Sequence, residues 1–257
     1  MIHPTAIVHP GAKLAPDVAI GAYAVIGEHV EIGAGTHVAP HAVITGHTRI
    51  GRANRIFQFV SLGEIPQDKK YGGEPTRLEI GDHNTIREFC TFNTGTAQDV
   101  GVTRVGDHNW IMAYVHLAHD CQVGSHTVFA NLVALAGHVV IHDHAILGGG
   151  AMVHQFCRIG ASAFVAGGSI VLRDVPPYVM ASGSNSAEPH GINSEGLKRR
   201  GFSPAAIEAI RRAYKSLYRS GLGFEEAKQA IAEQARQTPE LEVMTEFLAS
   251  STRGVIR

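Results

Sequence analysis

The sequence predicts a mainly β protein, a parallel β-helix wound on a six-residue repeat and followed by a small α-helical domain. Three observations carry this. Stepping by six from Ile2 meets Val8, Leu14, Ile20, Ile26, Ile32, Val38, Ile44, Ile50, Ile56 and Leu62 without a miss. The residue after those aliphatics is often glycine and the fourth after them usually small. Beyond residue 189 the period disappears and helix-type spacing with capping signals takes its place.

The repeat lapses at Asp68 and Glu74, resumes in phase at Ile80, Ile86 and Phe92, and then slips by one residue. From Val105 it runs unbroken through Ile111, Leu117, Val123, Phe129, Leu135, Ile141, Leu147, Val153, Ile159, Val165 and Val171. A period of six fits neither a helix nor an alternating strand, and a sustained fixed period is the signature of a solenoid. The residue after the aliphatic is often glycine (Gly21, Gly27, Gly33, Gly51, Gly81, Gly106, Gly124, Gly148, Gly160), and the fourth after it is usually small. Glycine there suits a corner that needs positive φ or has no room for a side chain. Three hexads close one triangular coil of 18 residues, so residues 18 apart stack at about the inter-strand spacing, ~4.8 Å.

The repeat divides the chain into residues 1–189, the coil, and 190–257, the helical domain. Segments 63–79 and 93–104 interrupt the coil; in a solenoid such insertions are loops extruded from one face, often the functional one. Asp174-Val175-Pro176-Pro177-Tyr178 places two prolines where the coil is expected to end. Ser203-Pro204 reads as an N-cap with proline in the first turn, opening an amphipathic run over 205–219 that closes near Gly221. A second helix is expected over 224–237, and a third from Thr238-Pro239 to about Ser250.

The 257 residues carry a formal net charge of -1, which argues against a general nucleic-acid binder. No apolar run reaches transmembrane length and no signal-peptide pattern opens the chain, so a cytoplasmic protein is expected. Cys90, Cys121 and Cys157 all fall on the small fourth slot and read as buried fillers, not as disulfides or a zinc cluster. Between Lys198 and Arg219 seven basic residues face one acid, Glu208. That asymmetry fits either a docking face for an acidic partner or phosphate, or a solvated helix face.

Stacking by 18 brings chemistry to one edge. His119 has Gly137 and then Gln155 above it; Asp120 has His138 and then Phe156; Ala118 has Ala136 and then His154. An imidazole with an adjacent carboxylate is suited to general base catalysis, the carboxylate orienting it and stabilising the imidazolium. Gly137, one coil away, leaves a backbone N–H open to a developing oxyanion. His138, His154 and Gln155 are placed to hydrogen-bond a polar substrate. Corner histidines are commonly structural, and histidines at the edges of a trimeric β-helix can also ligate zinc.

The segments His116-Leu117-Ala118-His119-Asp120-Cys121, Leu135-Ala136-Gly137-His138, His154-Gln155-Phe156-Cys157 and Glu195-Gly196-Leu197-Lys198-Arg199-Arg200-Gly201-Phe202 closely resemble the acyl-carrier-protein-dependent UDP-N-acetylglucosamine O-acyltransferases of lipid A synthesis. The resemblance extends through Gln67 to Thr76 and to Ser251-Thr252-Arg253-Gly254. It implies a left-handed coil, an obligate homotrimer with sites between neighbouring β-helices, and transfer of a 3-hydroxyacyl chain from acyl carrier protein to the sugar 3-hydroxyl. His119 then corresponds to the general base, Asp120 to its orienting carboxylate and Gly137 to the oxyanion donor. Asp68, Lys70, His116, His138, His154 and Gln155 match positions holding sugar, diphosphate or acyl chain. Asn193, Glu195, Arg199 and Arg200 match the segment meeting the uridine and phosphates. Gly167 is the candidate floor of the acyl groove. No cofactor or metal is implied for the protein itself, since phosphopantetheine arrives on the carrier protein, which the basic helical domain suits. One departure stands out: Asn93-Thr94-Gly95-Thr96 replaces the His-Arg-Gly-Thr of many members. It leaves open a 3-amino sugar as acceptor, and a non-catalytic scaffold is the reading from another class.

Overall fold

A computed structural model describes all 257 residues. Its architecture is the expected parallel β-helix followed by a small group of helices. Short strands, most of two residues, stack into three flat faces. The first face has nine strands from Ile7–Val8 to Ile170–Val171, the second eight from Lys13–Leu14 to Arg158–Ile159, and the third ten beginning at Ala19–Ile20. Pairing from coil to coil is parallel and steps by 18 in regular coils, as in His116 with Ala134 and Leu117 with Leu135. The repeat aliphatics point inward: Ile44, Leu62, Ile86, Leu117 and Leu135 are fully buried.

The lapse and slip of the repeat have a simple geometric origin. Ser61 pairs with Thr91, and Thr91 with His116, so the coils carrying the loops are 30 and 25 residues long instead of 18. The first insertion adds twelve residues, two whole hexads, and keeps the phase; the second adds seven and shifts it by one. Both loops, residues 65–76 and 94–101, leave a first-face strand (Ser61–Glu64, Thr91–Asn93) and re-enter on the second face (Arg77–Ile80, Val102–Val105). They therefore emerge at the same corner.

The glycine slot corrects one expectation. Positive φ falls on the third residue after many of the aliphatics, as in Tyr23, His41, His83, His108, Asp120, His126, His138 and Phe156, whereas none of the nine slot glycines has it. Those glycines are required by close approach instead. A Cβ on Gly33 would sit 2.8 Å from the carbonyl of Gly51 in the next coil, and one on Gly106 would be 2.8 Å from that of Gly124. Where left-handed corner residues recur from coil to coil, like side chains stack in columns. His83, His108, His126 and His144 lie ring on ring at 4.8–5.0 Å on the second-to-third corner. Phe59, Phe89 and Tyr114 stack likewise on the third-to-first corner.

Pro176 and Pro177 do not end the coil. Val175 bridges Ile159 in parallel, Tyr178 takes the left-handed corner conformation, and Val179–Ser182 pairs with Phe164–Val165. The prolines sit in the corner, where a missing N–H removes no ladder bond. Only then does Val179–Ser182 turn back antiparallel onto Glu188–Ile192, the last strand. Helix α1 (Ser194–Arg199) follows, a short element the sequence reading did not separate, capped by the Asn193 side chain accepting from the Gly196 N–H. Helices α2 (Pro204–Tyr218) and α3 (Phe224–Ala235) lie where expected, α3 two residues shorter. The third expected helix is a 3-10 turn, Pro239–Leu241, running into α4 (Glu242–Ala249). Leu197, Ile207, Ile210 and Leu217 join the core of the coil, so one apolar interior serves the whole chain. All three cysteines are buried and free; burial pushes Cys90 and Cys121 up to about 12 and Cys157 to about 11, leaving unreactive thiols.

Gly33→Ala is expected to destabilise the coil by roughly 1–3 kcal/mol through overpacking, read as a lowered urea midpoint. A second expectation concerns acid. His142 and His144 are held below the ordinary histidine value, first by burial and then by the cations Arg158 and Arg200 respectively. The unfolded chain takes up these protons near pH ~6.5, the native chain only lower, so their contribution is intact above that value and lost as pH falls through it. The melting temperature should decline between about pH 6.5 and 5, and His142→Gln should flatten the decline.

Candidate active site

The 18-residue stacking places the candidate residues as the repeat requires. His119 follows the first-face strand His116–Leu117, and Asp120 turns the first-to-second corner with φ 59°. Its backbone N–H donates to Thr103 Oγ1 at 2.8 Å. The Asp120 carboxylate is wholly buried and accepts three groups of hydrogen bonds. His119 Nδ1–H donates at 2.9 Å, the Thr96 hydroxyl at 2.6 Å, and the Thr96 N–H at 3.0 and 3.1 Å to its two oxygens. The buried carboxylate is thus hydrogen-bonded through both oxygens by N–H and O–H donors, with no Lys or Arg beside it. Gly95 has to be glycine for this: a Cβ there would lie 2.7 Å from Asp120 Oδ1.

With Nδ1 committed to Asp120, His119 offers Nε2 as its working atom. Gly137 lies directly above it, and a Cβ would stand 2.6 Å from His119 Cε1 and 2.7 Å from Nε2. The absence of a side chain is therefore what admits the imidazole. Ala136 N–H donates to Val153 O and His138 N–H to His119 O, while the Gly137 N–H between them has no protein acceptor. A proton acceptor and an uncommitted backbone donor thus lie in adjacent coils, the pairing that acyl transfer needs.

His138 stacks on Phe156, with centroids 4.4 Å apart and planes within 8°, and meets His119 edge-on at 4.9 Å. Its Nδ1 lies 2.5 Å from Asp99 Oδ2 and 3.9 Å from Asp120 Oδ2. His119, Asp120 and His138 offer ligand atoms mutually within 4.8 Å, close enough for a cation, but both Nδ1 atoms face carboxylates as hydrogen-bond donors. His116 is hydrogen-bonded to Thr91 Oγ1 at 2.8 Å, and burial lowers its pKa. His154 and Gln155 are exposed one coil above Ala136 and Gly137. Asp68 and Lys70 lie in the first loop at this corner, Asp68 Oδ1 accepting the Lys70 N–H at 3.0 Å.

Other expected residues lie elsewhere in the same chain. Asn193 donates to Ser162 O at 3.0 Å and Arg200 hydrogen-bonds Ser162 Oγ, on top of the His83–His144 column at the second-to-third corner. Glu195 pairs with Lys198 at 2.7 Å, and Arg199 is exposed beside it. Gly167 precedes the left-handed Gly168 at the third-to-first corner, where a Cβ would meet Gly149 O at 3.1 Å. Asn93 and Thr94 are buried and tie the two loops together: Asn93 Nδ2 donates to Ile65 O at 2.8 Å, Thr94 N–H to Glu64 O at 3.0 Å, and Thr94 Oγ1 bonds Thr76 Oγ1 at 3.1 Å. Thr96, Thr103 and Asp99 escaped the sequence reading because a seven-residue insertion hides their register. Thr96→Ala should cost about 1–3 kcal/mol in denaturant titration, the penalty for withdrawing a donor from a buried anion, and Thr96→Ser should restore most of it.

Comparisons with known proteins agree with the geometry. Residues 174–256 match the family described as UDP N-acetylglucosamine O-acyltransferase, domain 2, and residues 11–46 and 103–137 match the bacterial transferase hexapeptide. The acyl-[acyl-carrier-protein]–UDP-N-acetylglucosamine O-acyltransferase of Janthinobacterium sp. (strain Marseille) is 58% identical over 261 residues, covering 100% of this chain and 99% of the relative. That of Thiobacillus denitrificans is 64% identical over 204 residues, 79% of each chain. The solved structure of LpxA from Acinetobacter baumannii superposes with a TM-score of 0.97 at 49% identity, covering 100% of this chain and 99% of that one. With this identity sustained over its full length, the chain belongs to the acyl-[acyl-carrier-protein]–UDP-N-acetylglucosamine O-acyltransferase family.

Proposed function

We propose that this chain is the acyltransferase that moves a 3-hydroxyacyl group from acyl carrier protein to the 3-hydroxyl of UDP-N-acetylglucosamine, the first step of lipid A biosynthesis. The observation that carries the reading is the His119–Asp120 pair facing the uncommitted Gly137 N–H. His119 Nε2 takes the proton of the sugar hydroxyl as its oxygen attacks the thioester carbonyl. The Gly137 N–H stabilises the tetrahedral oxyanion. Collapse breaks the C–S bond, and the imidazolium returns its proton to the leaving phosphopantetheine sulfur. Asp120, held in place by Thr96, orients His119 and balances its transient charge.

His138, His154, Gln155 and His116 line the acceptor and acyl path, with Asp68 and Lys70 closing over it from the loop. Asn193, Glu195, Arg199 and Arg200 sit at another corner and serve the nucleotide end of a neighbouring copy's site. A homotrimer with sites between its β-helices is the arrangement this favours, since one chain alone leaves the two groups apart. Gly167 borders the end of the acyl path. The basic face of α1 and α2 docks the acidic carrier protein, which brings the phosphopantetheine; the protein needs no cofactor or metal of its own. The reaction belongs in the cytoplasm, and no helix is long and apolar enough to cross a membrane. The inward-facing, hydrogen-bonded Asn93 and Thr94 give no support to an amine acceptor.

His119→Ala should lower kcat by at least about 10²-fold in a carrier-protein assay with UDP-N-acetylglucosamine, leaving the KM for the nucleotide sugar nearly unchanged. An unaltered rate would sink the mechanism.

A further inference from the structure

His138 carries an interaction that neither the repeat nor the reaction explains. Its Nδ1 lies between two carboxylates, 2.5 Å from Asp99 and 3.9 Å from Asp120. Asp120 is already engaged: His119 Nδ1–H donates to the same Oδ2 at 2.9 Å, and Thr96 occupies it from two sides. Two imidazoles in edge contact at 4.9 Å would compete for one carboxylate. Asp99 supplies the second, 39 residues earlier in the chain.

Asp99 stands on the seven-residue insertion, seated on the site by contacts at both ends. Thr96 holds Asp120 at one side and Asp99 holds His138 at the other, while the Gly95 N–H donates to Arg77 O and the Arg77 N–H to Gly101 O at the neck. His138 is otherwise fixed by Phe156 against one ring face and by its backbone N–H on His119 O. Its Nε2 alone has no protein partner.

We propose that Asp99 is a positioning residue acting through His138. It takes the Nδ1–H, fixes the ring so that Nε2 is the atom left for a ligand, and frees Asp120 to serve His119 alone. His138 Nε2 then accepts a hydrogen bond from a hydroxyl or amide N–H of the acceptor sugar. The inference rests on the proposed acyl transfer for its effect on rate, while the pairing itself is measurable without any reaction.

The test compares Asp99→Ala and Asp99→Asn, each in the wild-type and His138→Ala backgrounds, after melting curves confirm folding. Asp99→Ala should lower kcat/KM about tenfold or more, the equivalent of losing one hydrogen bond to a charged group, mainly through the KM for UDP-N-acetylglucosamine. Asp99→Asn, which keeps an acceptor oxygen, should recover most of the loss. In the His138→Ala background, Asp99→Ala should do nothing further. Full activity of Asp99→Ala, or an equal loss in both backgrounds, overturns the proposal. Histidine-selective 15N spectra supply the independent arm: His138 should be protonated at Nδ1 in the wild type and redistribute toward the Nε2–H tautomer in Asp99→Ala. An unchanged tautomer overturns the pairing. If the wild type transfers no acyl group, the functional reading fails and the spectra alone decide the positioning role.

Discussion

Everything in this molecule depends on the parallel hydrogen-bond ladder between successive coils. Each strand has only two or so residues, too few to persist alone, and holds its place because the coils above and below pair with it in register. Close stacking requires a glycine wherever a Cβ would meet the next coil's carbonyl, as at Gly33 and Gly106. Many corners place a left-handed residue three positions after the aliphatic, and there the chain accepts Tyr, His, Phe and Asp. That conformation is unfavourable for residues with a Cβ, so the ladder bonds and the buried aliphatics together must offset it at every coil. The histidine and aromatic columns are the visible consequence, because residues 18 apart have nowhere to go but on top of one another.

The site is built where this regularity is interrupted. Both insertions leave the coil at the corner that carries Asp120, His138 and Phe156, and the second delivers Thr96 to a carboxylate that no water reaches. Without Thr96, the coil would bury an anion whose only side-chain donor is His119. With it, the charge is satisfied by neutral donors and remains available to balance an imidazolium. Asn93 and Thr94 belong to the same construction. They are buried ties between the loops, with Asn93 Oδ1 left without a partner.

A second constraint follows from the triangular cross-section. Asn193 and Arg200 rest on Ser162, at a corner separate from that of His119. A single coil cannot turn one corner toward another, so residues suited to opposite ends of one elongated substrate can meet only across two copies. The proposed trimer is an arrangement that would bring two such corners together. The helices complement the prism: their apolar faces seal the open end of the coil through Leu197, Ile207, Ile210 and Leu217, and their basic faces stay outward.

A strict period ties residue type to place in a coil, and for that reason the sequence by itself determined the three-faced solenoid, the buried cysteines, and the stacking of His119 under Gly137 and of Asp120 under His138. The helix start at Pro204 was legible too, from cap and proline, and that at Phe224 was placed correctly as well. Where the period broke, so did the inference. Pro176 and Pro177 read as a stop, though a corner has no ladder donor to lose; of the two reasons read for the slot glycines, positive φ and lack of room for a side chain, only the second holds. Only the tertiary structure decided that Thr96 and Asp99 reach Asp120 and His138, and that Arg200 lies on another corner. An insertion erases register, and which partners a loop finds is set by contacts in space that no spacing along the chain encodes.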